Sequence, residues 1–188
     1  MRVETLSVVF AEIPDVGGSV GVTAIDKRSV DGPRHVTTDG VQGDHRSDMK
    51  NHGHTDHAVY AYAREDLDWW QDRLGRDLRD GVFGENLTTT GVDWNAIEVG
   101  TVVRIGTALL QVSTPRIPCA TFGRWLEQDQ WVKRFKEASR WGSYLRVLEP
   151  GDLSAGDDII LVEPRSHGVS VDDVALVYTG DRDHARLT

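Results

Sequence analysis

The chain has 188 residues, 39% hydrophobic and 27% charged, enough for one domain with a buried core and a short appendage. Its 21 Lys and Arg against 30 Asp and Glu give a net charge of -9, which argues against a nucleic-acid polymer as partner, since such partners need a basic face. A single Cys excludes an internal disulfide, and no run approaches the roughly 18 apolar residues of a membrane span. Arg2 and Glu4 sit inside the first apolar stretch, unlike the basic-then-apolar order of a signal peptide, so a cytoplasmic protein is the expectation.

Residues 3–10 are apolar and Val-rich, residues 20–25 alternate, and residues 35–38 and 57–62 are short and β-leaning. Gly17-Gly18, Asp31-Gly32-Pro33 and Asp39-Gly40 punctuate them as turns. A helix is predicted over 64–80, with Leu67, Trp70, Leu74 and Leu78 at helical spacing, Glu65 and Asp66 in the first turn, and Gly81 as a stop. A second is predicted over 123–140, with Trp125, Leu126, Phe135 and Ala138 on its buried stripe. Strands are expected at 99–105, 108–113, 144–148 and 158–162, parted by Gly100-Thr101, Gly106-Thr107 and Pro150-Gly151. A short helix over 170–178 precedes an end that frays. The order is not an alternating βαβ. It predicts a mainly β fold with α (α+β), a β-barrel-like core with peripheral helices, over residues 1–163 and a polar tail over 164–188.

Residues 52–57 read His-Gly-His-Thr-Asp-His, the metal-binding signature of the metallo-β-lactamase fold, whose imidazoles and carboxylate hold zinc that activates water. Asp44, His45 and Asp48 stand just upstream. The context argues against that zinc hydrolase. The preceding segment is polar rather than a buried strand, and no His lies between His57 and His167.

A second distinctive segment is Pro115-Arg116-Ile117-Pro118-Cys119. Its prolines stiffen the loop and remove amide donors, and Arg116 is a cation near the thiol. Read alone, Cys119 is either a small buried hydrophobe or a metal ligand or nucleophile.

Several segments occur in one order: Thr23-Ala24-Ile25-Asp26-Lys27; Gly40-Val41-Gln42-Gly43-Asp44; the His-rich run from His52 to Tyr60; Gly81-Val82-Phe83-Gly84-Glu85-Asn86-Leu87-Thr88; Gly100-Thr101-Val102-Val103-Arg104; and the Cys119 loop. Together they resemble the MOSC family, named for the C-terminal domain of molybdenum cofactor sulfurases, and in particular its stand-alone bacterial branch that reduces N-hydroxylated compounds such as 6-N-hydroxylaminopurine. The likeness runs over about residues 3–163. It implies a β-barrel binding a molybdenum–pterin cofactor (molybdopterin), with Cys119 as the protein's sulfur ligand to molybdenum, a pairing that suits soft thiolate chemistry. It also explains the His-rich run, where His52, Gly53, Asp56 and Ala58 match a His-Gly-Gly-x-Asp-x-Ala pattern and His54 stands in place of a Gly.

The same resemblance puts Asn86 near the cofactor as a donor to an oxo group or the pterin; from the residues alone it is a turn-forming Asn. Arg116 would meet the cofactor phosphate or the substrate. Lys27 and Arg28 match a basic spot expected to take the phosphate, and Thr121 lies at a helix start where an anion is held. Asp44 and His52 read as structural, and Trp69, Trp70, Trp125 and Trp131 as core or interface. The implied reaction removes oxygen from small N-hydroxylated substrates, nucleobases or amidoximes. With no Cys pairs for a cluster and no Gly-x-Gly-x-x-Gly loop, electrons come from a partner reductase. The competing readings are the zinc hydrolase and a non-enzymatic cofactor or sulfur carrier that holds a persulfide on Cys119. Pyridoxal phosphate is disfavoured, because Lys27, Lys50, Lys133 and Lys136 lie in no pocket motif. A homodimer is compatible with the sequence and not specified by it. The tail reads as a shortened helical extension.

Overall fold

The computed structural model describes residues 1–180, with the side chains of residues 51 and 52 outside the described set. The expected fraying of the last residues, and the structural reading of His52, therefore lie outside what is described. In chain order the elements are β1 (Arg2–Pro14), β2 (Val22–Ser29), β3 (Arg34–Thr37), β4 (Gly40–Val41), α1 (Met49–His52), a 3-10 turn (Thr55–His57), β5 (Val59–Ala63), α2 (Arg64–Leu74), β6 (Leu87–Thr90), β7 (Val102–Ile105), β8 (Ala108–Pro115), α3 (Ala120–Leu126), α4 (Trp131–Ala138), β9 (Ser143–Glu149), β10 (Gly151–Leu153), β11 (Ile159–Glu163) and α5 (Val171–Tyr178).

Eight strands form one mixed sheet in the order β11-β7-β8-β9-β5-β6-β1-β2, and β10-β3-β4 form a small second sheet. Only the β5–β6 pair is parallel among these ladders. Strand β5 is Val-Tyr-Ala-Tyr-Ala with every residue buried, because packed material covers both of its faces. Strand β1 serves two neighbours. Its first residues pair with β6, and from Ser7 onward it pairs with β2, with register shifts that bend it. A bridge between Arg2 and Asp158, with the amides of Val3 and Ile159 donating to Asp157 and Met1 carbonyls at 2.9 and 3.0 Å, ties the start of β1 to the approach to β11. The mainly β fold with peripheral helices is as expected. These pairings do not show a closed barrel.

The two long helices differ from expectation. The first ends at Leu74, where Gly75 takes the left-handed conformation (φ 62°) that terminates helices. Leu78 is still buried, but on the loop that follows. The second is two short helices. The first starts at Ala120, earlier than expected, and the chain breaks at Glu127 and Gln130, both at φ 53°. That break lets Phe122 and Leu126 from α3 and Trp131 and Phe135 from α4 face one cluster with Trp70 and Phe83. Ring centroids there lie 4.5–6.4 Å apart, in tilted and edge-on pairs with Trp70 and Phe135 stacked, arrangements that aromatic quadrupoles favour. Trp70 and Trp131 are in this core and Trp69 and Trp125 at its rim, as read from sequence. Helix α5 opens with a capping box between Ser170 and Asp173.

Candidate active site

Strand β8 ends at Pro115, and the stiff loop that follows carries Arg116 and Cys119 into a cavity of about 490 Å³. Cys119 is the extended residue just before α3, partly exposed on the cavity wall, and makes no capping hydrogen bond. Arg116 is 8% exposed. Its guanidinium carbon sits 3.8 Å from the centre of the Phe122 ring and 5.4 Å from that of Tyr60. It reaches the Tyr144 hydroxyl, but Nη1 has no hydrogen-bond partner and no carboxylate balances the charge among the described residues. A buried cation left in that condition is costly unless something anionic meets it.

Strand β2 supplies Lys27 to the same cavity. Lys27 and Arg28 are neighbours on a strand, so they point apart. Lys27 is buried on the cavity wall, whereas Arg28 lies over the Phe10 ring, 3.7 Å from its centre, and pairs with Asp26 at 3.0 Å. The structure thus brings Cys119, Arg116 and Lys27 together and leaves Arg28 outside the cavity lining.

Asn86 and Asp44 form the support beneath Lys27. The Lys27 ammonium donates to Asp44 Oδ2 at 2.6 Å, the Asn86 amide donates to the same oxygen at 2.9 Å, and the Val9 amide donates to Oδ1 at 2.9 Å. Asn86 also donates to the Ser7 carbonyl at 3.2 Å and accepts from the Tyr60 amide at 3.1 Å. Its side chain therefore joins β1, β5 and the Asp44 loop. Asp44 is structural in this sense, as read from sequence.

Thr121 lines the cavity in the first turn of α3, but its hydroxyl donates to Asp15 at 2.7 Å. Arg124, one turn further on, makes a two-pronged pair with the same carboxylate at 2.6 and 2.9 Å. The Arg124 guanidinium holds the Asp15 carboxyl below its ordinary value. Sequence reading missed Asp15, Arg124, Tyr60 and Tyr144. Thr121 and Arg124 carried a usable signal, since i and i+3 share a helix face. Tyr144 carried none beyond its place in a strand.

A family model described as the MOSC domain matches residues 48–160. The chain belongs to the MOSC family. It is 34% identical over 149 residues to Bacillus subtilis YflK, covering 79% of this chain and 67% of that protein. It is also 34% identical over 152 residues to a Gibberella moniliformis protein named reductase, covering 79% of this chain but 27% of that longer protein. The crystal structure of YiiM from Geobacillus stearothermophilus superposes with a TM-score of 0.79 at 28% identity, covering 98% of this chain and 87% of that one.

The described side chains of the zinc-like segment meet neighbours within the protein. His54 is mostly exposed, and its ring nitrogen meets Asp56 at 3.2 Å. Asp56 turns toward Arg146, and the His57 ring packs 4.4 Å from that of Tyr144. No group of three or more His, Cys, Asp or Glu is placed to hold a metal ion among the described residues. No helix is long and apolar enough to cross a membrane. Beneath the cavity, Glu85 of the Phe-Gly-Glu-Asn segment is fully buried. It accepts the amides of Gly81 and Phe83 at 2.6 and 2.9 Å and the Thr88 hydroxyl at 3.0 Å. Burial still raises its carboxyl to about 7.

Proposed function

We propose that this MOSC domain is a molybdenum-cofactor-dependent reductase of small N-hydroxylated molecules, nucleobases or amidoximes, which takes its electrons from a separate reductase. The observation that carries the reading is one cavity wall with a thiol, Cys119, beside a buried guanidinium whose Nη1 has no partner. A phosphorylated pterin dithiolene complex needs that donor set: a soft sulfur for the metal and cations for the phosphate. Cys119 would give the sulfur, and Arg116 and Lys27 would meet the anion. When bound, the cofactor supplies the two-electron chemistry that separates oxygen from nitrogen. Asn86 and Asp44 serve by fixing the Lys27 ammonium. Thr121 serves by fixing Asp15, which closes the β1–β2 turn against α3. Arg28 takes no part. The relative named reductase is in keeping with this reading.

The test is elemental analysis and turnover of protein made in cells that synthesise the cofactor, with a strong chemical reductant as electron source. The wild-type chain is expected to carry molybdenum and reduce an N-hydroxylated nucleobase or an amidoxime, and Cys119→Ser to lose turnover while staying folded. A molybdenum-free wild-type protein, or full turnover in Cys119→Ser, defeats the proposal. Molybdenum without turnover in the wild type would point to a carrier.

A further inference from the structure

Removing oxygen from an N–OH group consumes two protons, and most of the cavity's ionisable side chains are engaged elsewhere. Asp15 is held by Arg124 and Thr121, and Asp44 by three donors. His45 pairs outward with Glu12 at 3.1 Å. The Tyr60 hydroxyl donates to the Trp141 carbonyl at 2.8 Å, away from the cavity.

Tyr144 is different. It lines the cavity with Cys119 and Arg116, and its ring is fixed between those of His57 at 4.4 Å and Tyr60 at 5.1 Å. The Arg116 guanidinium donates toward its oxygen, so the hydroxyl proton must point elsewhere. We propose that Tyr144 is the proton donor of the reduction and that Arg116 positions its hydroxyl and stabilises the phenolate it leaves; this rests on the reductase reading above. The N–O bond breaks as two electrons arrive from the partner reductase. The Tyr144 O–H bond breaks, and its proton goes to the departing oxygen, which leaves as water. The nitrogen takes the second proton from solvent, and solvent then returns a proton to the phenolate.

The surroundings suit the role. Burial pushes the Tyr144 hydroxyl above its ordinary value, which keeps the proton in place at neutral pH, while the Arg116 guanidinium pulls the other way. The ionisable groups around it are Arg116 and Cys119 from the loop before α3, Arg46 from the segment before α1, His57 from the 3-10 turn and Tyr60 from β5.

The substitution Tyr144→Phe keeps the ring stack and removes only the hydroxyl. With a chemical reductant, kcat is expected to fall by about 100-fold or more, while molybdenum content and KM stay within about threefold of wild type. Replacing Tyr144 with the more acidic 3,5-difluorotyrosine keeps a hydroxyl in a folded protein and should move the alkaline limb of kcat to lower pH. The fluorine NMR signal of that residue, titrated in cofactor-free protein, should show a higher midpoint after Arg116→Met, because the guanidinium no longer favours the phenolate. Turnover of Tyr144→Phe within threefold of an active wild type overturns the proposal and leaves the reductase reading standing, as does a fluorine midpoint that ignores Arg116→Met. A wild-type protein without molybdenum or turnover defeats the reductase reading, and this proposal with it.

Discussion

Glu85 offers a test of the fold that needs no cofactor. Its carboxyl is raised by burial from an ordinary value of 4.5 to about 7, because the amides of Gly81 and Phe83 and the Thr88 hydroxyl offset the loss of water only in part. The folded state therefore keeps a proton that the unfolded chain releases between those two values. Folding is favoured by this group below pH 4.5, and the contribution is lost as pH rises through about 7. Moving the carboxyl from 4.5 to about 7 corresponds to about 3–4 kcal/mol at ~1.4 kcal/mol per tenfold change, of which about 2–3 kcal/mol falls between roughly pH 5 and 8. Glu85→Gln removes the titration. It costs stability at every pH, because its NH₂ faces a backbone donor, but that cost does not vary with pH. Urea unfolding of both proteins at several pH values between 5 and 8 isolates the difference, since other titrating groups are shared. The wild type should lose about 2–3 kcal/mol more than Glu85→Gln across that interval. Parallel stability curves would refute the argument, since they would mean that the burial cost is already offset by the three donors.

Two further outcomes follow from the packing. Phe135→Ala empties the centre of the aromatic cluster, where it contacts the rings of Trp70, Phe122 and Trp131, and should cost about 3–5 kcal/mol by denaturant unfolding. His54→Gly, on an exposed side chain, should stay within about 1 kcal/mol of wild type and leave the zinc content of the purified protein unchanged; tightly bound zinc that vanishes in this variant would revive the hydrolase reading.

The sequence made parts of this molecule readable for identifiable reasons. Strands with apolar alternation or Val-rich runs were found because burial of a sheet face imposes a period of two. Strand β6 was not, because Leu87-Thr88-Thr89-Thr90 carries one aliphatic residue, and two of its threonines are nevertheless buried: Thr89 accepts from the Trp94 indole at 2.8 Å and Thr88 donates to Glu85. The break between α3 and α4 was hidden because Glu127 and Gln130 adopt left-handed conformations without being Gly or Asn. At the site, motif likeness found Cys119, Arg116, Lys27, Asn86 and Thr121, all of which line the cavity. It took Arg28 along with Lys27, although strand geometry separates adjacent side chains. Asp15 and Arg124 sit 109 residues apart, and no local pattern announces a long-range pair.

The Arg116 guanidinium, whose Nη1 has no partner, also bears on stability, independently of what reaction follows. Arg116 is enclosed by Phe122 and Tyr60 without a carboxylate among the described residues, so the cofactor-free protein holds a charge whose desolvation is incompletely offset. Anything that binds the folded state and supplies negative charge there stabilises it by RT ln(1 + [L]/Kd), about 2.7 kcal/mol at a hundred times Kd. Inorganic phosphate, at constant ionic strength against chloride, should therefore raise the unfolding midpoint of cofactor-free protein in a concentration-dependent way. In Arg116→Met the charge is gone and an unbranched apolar chain can still lie against Phe122. The protein without phosphate should be no less stable than wild type, and the phosphate response should shrink several-fold. Lys27→Met should also weaken the response, but with a loss of basal stability, because it strips Asp44 of its ammonium partner at 2.6 Å. The two variants thus differ in sign without phosphate and agree in its presence. An Arg116→Met protein that is markedly destabilised without anion, or that responds to phosphate as the wild type does, would show that the guanidinium is held for packing alone and that the cavity does not read charge through it.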